Sequence, residues 1–385
     1  MPIERVRIGV VGVGWIGAEV ARASLEDPRV ELVGVADTDP HKVGRDLGEV
    51  IGEGRIGLVI DADLSAVLAR ERPEVVIVCA SSDAERSAQV ASACLDAGCH
   101  VVLTTESLAS PSDADRVFAD GLDQRARERG VVVMATGVNP GFAMDRLPVT
   151  LAQQTRSIRR VRVRRVVDLA TRRAQLQAKA GVGLTPAAFK KAMAQGRVGH
   201  VGLDASVRLI ARGLDLTLEA VSERLEPLVA AEATSSSVLG PLGSGRIRGI
   251  RQVARGHFEG QELISLELVM ALDEPSPMTT IDIVGIPPLH LECDFPGDAC
   301  TVASVLSAVG LIVDLKPGLR TVLDLPAARP EAFDAPVVVA KRKVEPRGAT
   351  TAEKPVEARG RSKTKKAIEP SSKPATKRPK QKRTK

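Results

Sequence analysis

Short apolar runs recur along the first 140 or so residues, and most are followed by a stretch with helical periodicity. The runs consist mainly of Val, Ile and Ala, without regular polar alternation. Predicted strands cover 6–11, 30–36, 75–80, 100–105 and 131–136, and predicted helices cover 16–25, 84–97 and 112–129. Continuous apolar runs are typical of parallel strands buried on both faces. With right-handed β-α-β crossovers, this order predicts an α/β fold with a doubly wound parallel sheet.

The pattern changes near residue 155. Residues 158–168 alternate apolar and basic side chains, which is typical of a strand with one exposed face. Beyond it, the sequence predicts helices at 185–193, 202–212 and 300–311, and strands at 262–272 and 279–286. Strands and helices no longer alternate regularly, so we expect a second domain of the α+β class, with a mixed or antiparallel sheet.

The composition narrows the class of protein. Aromatic residues make up 2% of the chain and Tyr is absent, so the core must be aliphatic. No apolar run approaches the roughly 20 residues of a membrane helix, and the first residues lack the pattern of a signal peptide. Five cysteines without a Cys-x-x-Cys pair favour free thiols in a reducing compartment. We therefore expect a cytoplasmic protein without a metal site.

The positive charge is concentrated at the end of the sequence. Residues 341–385 contain 17 Lys or Arg and 4 Glu, whereas the preceding residues contain 37 basic and 44 acidic side chains. Such a segment cannot bury enough apolar surface to offset its ordering entropy, so we expect a disordered basic tail over 331–385. Clustered basic residues bind phosphates by counterion release. Without aromatic residues or a folded motif, we expect at most weak contact with nucleic acid.

A glycine turn follows the first predicted strand and opens the first predicted helix. It reads Gly12-Val13-Gly14-Trp15-Ile16-Gly17, the Gly-x-Gly-x-x-Gly pattern of Rossmann dinucleotide-binding domains. In this pattern the first glycine permits a tight turn, the second admits a pyrophosphate, and the third lets helix and strand pack closely. Backbone N–H groups at the helix start, around Trp15 and Ile16, would then face the phosphates. This context predicts a bound NAD or NADP.

Further candidate cofactor contacts follow the other predicted strands. Asp37 lies 20 residues after Gly17, at the spacing of a carboxylate that binds the ribose hydroxyls of NAD. Lys42 and Arg45 lie just beyond it and would favour NADP if their loop turned back, so the preference stays open. The side chains at the ends of strands facing the same cleft are Ser81, Ser82 and Thr104. We assign residues 1–150 to the NAD(P)-binding domain and 151–330 to a domain for substrate binding and oligomerisation.

Several loops resemble those of 2,4-diaminopentanoate dehydrogenases and related native amine dehydrogenases, in the dihydrodipicolinate reductase-like group. The similar segments are ATGVNPGFAMD (135–145), DPHKVGRDLGEV (39–50), VVDLATRR (166–173), LQAKAG (176–181) and GHVGL (199–203). The resemblance extends over roughly 5–325. It implies oxidation of a primary amine to an imine with hydride transfer to NAD(P), then hydrolysis to a ketone and ammonia, and the reverse reductive amination. We expect a homodimer acting on a small amine or ketone.

The resemblance also implies a catalytic residue. The family has a catalytic Glu in a Thr-Cys-Glu-Glu-Leu stretch after the fourth strand. Here the stretch reads TTESL (104–108), in which Glu106 matches the first Glu and Ser107 replaces the second. Glu106 is therefore the candidate acid/base, with an exposed loop carboxylate as the alternative. The Ser at the second position leaves the substrate open.

Four further residues are candidate substrate contacts. Asn139 precedes Pro140 at a strand end, where a simple turn is the alternative. His200 lies in a loop before a helix, where capping or packing is the alternative. Arg172 and Arg173 could bind a substrate carboxylate, or form part of a solvated basic face.

Two other functions remain open. One is reduction of a C=O or C=C bond on the same fold, and the other is a non-catalytic NAD(P)-binding sensor whose tail contacts nucleic acid. Dihydrodipicolinate reductases have a His-rich stretch followed by Lys and a Pro-Ser-Gly-Thr turn. The sequence contains neither, which argues against that activity.

Overall fold

The computed structural model describes residues 5–326, which form two large sheets and the helices that cover them. The strands are β1 (Val6–Val11), β2 (Val30–Ala36), β3 (Val75–Val78), β4 (His100–Leu103), β5 (Val132–Ala135), β6 (Arg156–Asp168), β7 (Ala220–Val229), β8 (Thr234–Ser236), β9 (Gly240–Leu242), β10 (Ile247–Phe258), β11 (Gln261–Ala271), β12 (Thr279–Ile286), β13 (Leu289–Cys293) and β14 (Gly318–Arg320). The expected disordered tail lies outside the described residues.

Helices connect most of these strands. They are α1 (Trp15–Glu26), α2 (Leu47–Ile51), α3 (Leu64–Glu71), α4 (Ala84–Asp96), α5 (Arg116–Arg129), α6 (Arg146–Ala152), α7 (Ala174–Lys179), α8 (Pro186–Ala194), α9 (Leu203–Gly213) and α10 (Gly297–Ile312), with a 3-10 helix at Glu106–Ala109. Among the described residues, no helix has both the length and the apolar character needed to cross a bilayer.

The first sheet confirms the predicted doubly wound parallel fold. Its strand order is β14-β5-β4-β3-β1-β2, and every pairing is parallel. All four residues of β3 and of β5 are buried, as expected for strands with helices on both faces. The chain leaves β1 for β2 on one side and then returns to β3 on the other. In open α/β sheets ligands bind at this switch point, outside the carboxyl ends of the strands.

The second sheet is mixed, as the loss of regular alternation predicted. Its order is β13-β12-β6-β11-β10-β7, in which β6 pairs in parallel with β11 and the other pairs are antiparallel. In β6, Val161 and Val163 point into a core with α9, while Arg162 and Arg164 are exposed on the other face. Because alternate residues of a strand point to the same face, Arg165 lies on the inner face with Val161 and Val163, and only 5% of it is exposed.

The last described segment returns to the first sheet. Strand β14 pairs with β5, and α10 packs against α1. Val305, Val309 and Ile312 of α10 are fully buried in the core of the first sheet. These last described residues thus pack on the first sheet, although the predicted second domain, 151–330, includes them. The sequence order did not reveal the return, because β14 is only three residues long and lies 180 or so residues beyond its partner strand.

Candidate active site

A cavity of about 400 Å³ lies where the carboxyl ends of the first sheet meet the second sheet. Its position at the switch point between β1 and β3 is typical of nucleotide sites in open α/β sheets. Of the predicted site residues, the walls contain Gly14, Trp15, Ile16, Ser81, Ser82, Thr104, Glu106, Asn139, Arg172, Arg173 and His200. Gly12, Gly17 and Asp37 are not part of the walls. The structure therefore brings most of these distant positions to one place.

The glycine turn has the geometry that its sequence predicted. Gly12 has φ +88°, and a Cβ there would lie 2.6 Å from Cα of Ala80. A Cβ on Gly17 would overlap the Gly12 carbonyl oxygen. Gly14 is the N-cap of the twelve-residue helix α1, where no side chain caps the backbone and a Cβ would meet only open space. The first N–H groups of α1 thus border the cavity and fit a diphosphate group.

Asp37, just after β2, connects that strand to the glycine turn. Its Oδ2 accepts a hydrogen bond from N of Val13 at 2.6 Å, and its Oδ1 accepts one from N of Asp39 at 2.8 Å. Lys42 Nζ lies 3.6 Å from Asp37 Oδ2 and 3.1 Å from Asp39 Oδ2. Arg45 donates to the backbone carbonyl of His41 at 3.4 Å. The positive charge of Lys42 is therefore held between two carboxylates.

Hydroxyl groups fix the loops after β3 and β4. Ser81 Oγ accepts from N of Asp83 at 3.0 Å, and Thr104 Oγ1 donates to the Val78 carbonyl at 3.4 Å. Behind them, the buried Oγ1 of Thr105 lies 2.7 Å from Oγ of Ser87. These contacts hold the two loops against each other at the cavity wall.

Glu106 begins the 3-10 helix that follows β4. Gly202, the N-cap of α9, packs so closely that a Cβ there would lie 2.9 Å from Cβ of Glu106. Oε1 of Glu106 lies 3.8 Å from Nζ of Lys179, at the end of α7. Oε2 is buried and has no hydrogen-bond partner among the described residues. A buried carboxylate oxygen without a partner is costly, so this atom is the clearest candidate for a contact with a bound molecule.

Asn139 and His200, separated by 61 positions, meet at the cavity wall. Asn139 Nδ2 donates to His200 Nε2 at 3.0 Å, and Asn139 Oδ1 lies 3.3 Å from Ser206 Oγ. Ser206 in turn donates to the fully buried Asp145 at 2.7 Å. Because Nε2 of His200 accepts, the proton of the neutral ring is on Nδ1.

Burial, with the positive charges of Lys179 and Arg165, lowers the pKa of His200 to about 4. The imidazole is therefore neutral at physiological pH. Gln252 fixes its backbone, because its Oε1 accepts from N of His200 at 2.8 Å and its Nε2 donates to the His200 carbonyl at 2.7 Å. Asn139 and His200 thus belong to one hydrogen-bond network at the cavity wall.

The arginines at the end of β6 differ in their partners. Arg173 forms an ion pair with Asp298 at 3.2 Å, whereas Arg172, beside it in the sequence, has none among the described residues. Lys179 and Arg165 also line the cavity but were not predicted as site residues. The sequence offered one signal for Arg165, its inward-facing position in the alternation of β6. Lys179 lies in the family-like segment LQAKAG (176–181), which by itself assigned it no role.

Comparisons with known proteins place the chain in a family. Residues 142–340 match the family described as the 2,4-diaminopentanoate dehydrogenase C-terminal domain, and residues 6–118 match the N-terminus of dihydrodipicolinate reductase. The 2,4-diaminopentanoate dehydrogenase of Acetoanaerobium sticklandii is 27% identical over 345 residues, which cover 85% of this chain and 95% of the relative. An amine dehydrogenase of Streptomyces virginiae is 27% identical over 343 residues, covering 82% and 95%.

A solved structure supports the same assignment of the fold. The amine dehydrogenase from Mycobacterium smegmatis superposes with a TM-score of 0.76 at 23% identity, and the match covers 85% of this chain and 98% of that one. Together with the sequence relatives, the cavity and the glycine turn identify an oxidoreductase that uses a nicotinamide cofactor. The chain belongs to the 2,4-diaminopentanoate dehydrogenase family.

Proposed function

We propose that the protein is an amine dehydrogenase, which oxidises a primary amine to a ketone and ammonia and catalyses the reverse reductive amination. The observation that carries this proposal is the unpartnered Oε2 of Glu106, in the same cavity as the glycine turn. A carboxylate at this place can exchange protons with a reacting amine or water. The two full-length relatives, which are named for amine oxidation, support the same reaction.

The cofactor would be held by the first domain. When bound, its nicotinamide accepts a hydride from the amine-bearing carbon. The backbone at Gly14 and the start of α1 would bind the diphosphate, and Asp37 would bind the ribose hydroxyls. Ser81, Ser82 and Thr104 would contact the part of the cofactor inside the cavity. Because Lys42 is already paired with Asp37 and Asp39, we expect NAD to be preferred over NADP.

Glu106 would move the protons of the reaction. During hydrolysis of the imine, a water oxygen bonds to the imine carbon while Oε2 of Glu106 takes a proton from that water. The same proton then passes to the nitrogen, which gives a carbinolamine. Glu106 next carries the remaining hydroxyl proton to the nitrogen, which leaves as ammonia as the C–N bond breaks and the C=O bond of the ketone forms. Lys179 Nζ lies 3.8 Å from Oε1 of Glu106, and its positive charge disfavours a second cation nearby. The amine would thus react in its neutral form.

His200 and Asn139 would orient the substrate. The neutral ring of His200 carries its proton on Nδ1 and bonds to Asn139 through Nε2. Asn139 is itself held by the Ser206–Asp145 pair. This chain of hydrogen bonds fixes the two side chains at the cavity wall without adding a charge. We propose that they position the reacting group against the cofactor.

The test is a screen of primary amines with NAD and NADP, and of ketones with ammonia and the reduced cofactors, followed by nicotinamide absorbance. We expect turnover in both directions, with ammonia as a product. Glu106→Gln retains the shape but cannot exchange a proton, so the rate should fall by roughly 100- to 10,000-fold. Turnover of the variant near that of the wild type would remove Glu106 from the mechanism.

Cofactor binding provides the control. Trp15 is the only Trp of the chain, lies in the cavity wall and is 51% exposed, so its fluorescence should report bound NADH. Glu106→Gln should bind NADH with unchanged affinity. Ammonia-independent reduction of a C=O or C=C bond would support the reductase alternative instead. Binding without any turnover would support the sensor alternative.

A further inference from the structure

A second cavity, of about 290 Å³, lies in the second domain, at the beginning of β6. One wall is that first part of β6, and the other is built from the loop after α9 and the start of β11. The lining consists of residues 156–161, Leu214, Leu216, Leu263 and Ile264. The volume is at the lower end of the range of ligand cavities, so the second cavity suits a small molecule.

Two strands reach both the second cavity and the active site, at different points along their length. In β6, Val161 lines the second cavity, and Arg165, four residues or roughly 13 Å further on, lines the active site. In β11, Ile264 and Leu268 are divided between the two cavities in the same way. The second cavity is therefore a separate site, which the proposed oxidation of an amine does not use.

The arginines of the second cavity lack acidic partners. Arg160 Nε donates to the backbone carbonyl of Glu262 at 3.3 Å, whereas the carboxylate of Glu262 is paired with Arg255 at 2.9 Å. Among the described residues, no ion pair involves Arg156, Arg159 or Arg160. Three cations thus line one cavity without a neutralising charge. Because like charges repel one another, a bound anion would be favoured among them.

The other wall of the second cavity is apolar and incompletely covered. Ile264 is fully buried in the core of the second sheet, whereas Leu214, Leu216 and Leu263 pack against that core and are only partly buried. The cavity therefore presents aliphatic surface beside the three cations. Covering this surface with a hydrocarbon chain would remove apolar area from water, which is favourable.

The backbone of β6 departs from a regular strand where it lines the second cavity. Ser157 has φ +53°, a left-handed conformation that is uncommon for residues other than glycine. The pairing of β6 with β12 also shifts register between Val284 and Ile286, opposite this segment. Consecutive residues 156–161 all line the cavity, whereas successive residues of a regular strand point to opposite faces. Unusual backbone conformations of this kind are concentrated at ligand sites.

We propose that the second cavity is a binding site for a small organic anion with an aliphatic chain. The anionic head group lies among Arg156, Arg159 and Arg160, whose guanidinium groups match the geometry of a carboxylate or a phosphate. The aliphatic chain covers the three partly buried leucines. Both parts of the ligand are needed, because a short anion leaves the leucines uncovered and a neutral chain leaves the arginines without a partner.

Calorimetry of the full-length protein tests the chemistry of the ligand. The probes are octanoate and octyl phosphate, which are octyl chains with an anionic head group, and octanol, octylammonium and acetate for comparison. At least one octyl anion should bind one to one, and about tenfold or more tightly than octanol, as expected for hydrogen bonds to a charged group. Octylammonium and acetate should also bind more weakly than that anion. Equal affinities of the octyl anions and octanol, or no binding of either anion, would overturn the proposal.

Substitutions assign the binding to the cavity. Arg159→Met removes one cation from the cavity wall and should lower the affinity for the anion about tenfold, and Arg159→Lys should restore part of it. Arg159 is exposed, so circular dichroism should show an unchanged fold. Arg162→Met removes an equal charge from the exposed face of the same strand, outside the cavity, and should leave the affinity unchanged. If both methionine variants lowered the affinity equally, general attraction to a basic strand would replace the proposed site.

A photoreactive analogue of the ligand locates the bound chain. An eight-carbon carboxylate with a diazirine near the end of its chain should label Leu214 or Leu216, identified by mass spectrometry of peptides. Labelling of Val167 or Leu176 instead would place the anion in the active-site cavity and overturn the proposal. None of these measurements requires turnover, so the second site is tested independently of the proposed amine dehydrogenase function.

Discussion

Acidification should destabilise the protein, and His200 should account for a defined part of the loss. Its pKa is about 4 in the folded protein, compared with 6.5 for an unperturbed His. Between these values the unfolded chain binds a proton that the folded protein does not. The contribution of His200 to the free energy of unfolding is therefore fully present well above pH 6.5, and it is lost as the pH falls towards 4. At about 1.4 kcal/mol per pKa unit, the full contribution is roughly 3 kcal/mol, of which about 2 kcal/mol is lost between pH 8 and 5.

The assay is urea unfolding of the wild type and of His200→Asn at pH 8, 7, 6 and 5, followed by circular dichroism. The Asn side chain does not titrate, so the variant should lose about 2 kcal/mol less stability over this range than the wild type. Burial raises the pKa of Asp145, which acts with the opposite sign but is present in both proteins, so its effect cancels in the comparison.

His290 provides a control of opposite sign. Its hydrogen bond to Asp282 raises the pKa of this exposed His, so it stabilises the fold at low pH and loses this effect as the pH rises. His290→Gln should therefore increase the loss of stability on acidification. If His200→Asn and the wild type lost stability equally between pH 8 and 5, the neutral buried imidazole, and the substrate-orienting role based on it, would be refuted.

Three further predictions concern the cofactor and the tail. Gly14→Asp should abolish NADH binding, measured by Trp15 fluorescence, because the new carboxylate would occupy the diphosphate position. The circular dichroism spectrum should stay unchanged. Unchanged affinity for NADH would contradict the assigned site. Asp37→Ala should narrow the preference for NAD over NADP. If the wild type instead bound NADP tenfold more tightly than NAD, a difference in binding free energy of about 1.4 kcal/mol, then Lys42 rather than Asp37 would determine the cofactor preference. Deleting 341–385, which lies beyond the family match, should leave thermal stability and turnover unchanged; lost turnover would assign the segment to the enzyme.

The sequence was most informative where the chemistry is local. The glycine turn is specified by six consecutive residues between a strand and a helix, so its conformation follows from backbone sterics alone. Likewise, apolar runs predicted the buried strands of the first sheet. Short elements such as α2 and α7, with five and six residues, have too few turns for a periodic signal, and the structure alone located them.

The sequence was least informative where the site depends on distant contacts. Lys179 approaches Glu106 across 73 positions, and Ser206 approaches Asp145 across 61. No local pattern specifies such pairs, because they result from the packing of α7 and α9 against the ends of the first sheet. The same holds for the difference between Arg172 and Arg173, which is set by the position of Asp298 on α10. Family resemblance pointed to Glu106 as a candidate, but it could not show that one oxygen of its carboxylate lacks a partner.

The return of α10 and β14 to the first sheet affects how the protein can be made and divided. The second sheet is an insertion between β5 and β14, so the nucleotide-binding half is discontinuous in sequence. A ribosome must synthesise more than 180 residues after β5 before the last strand of that half exists. A recombinant fragment that ends near residue 150 would lack the apolar cover supplied by Val305 and Val309. A fragment meant to contain the whole first sheet and its apolar cover must therefore include α10 and β14 as well as β1 to β5.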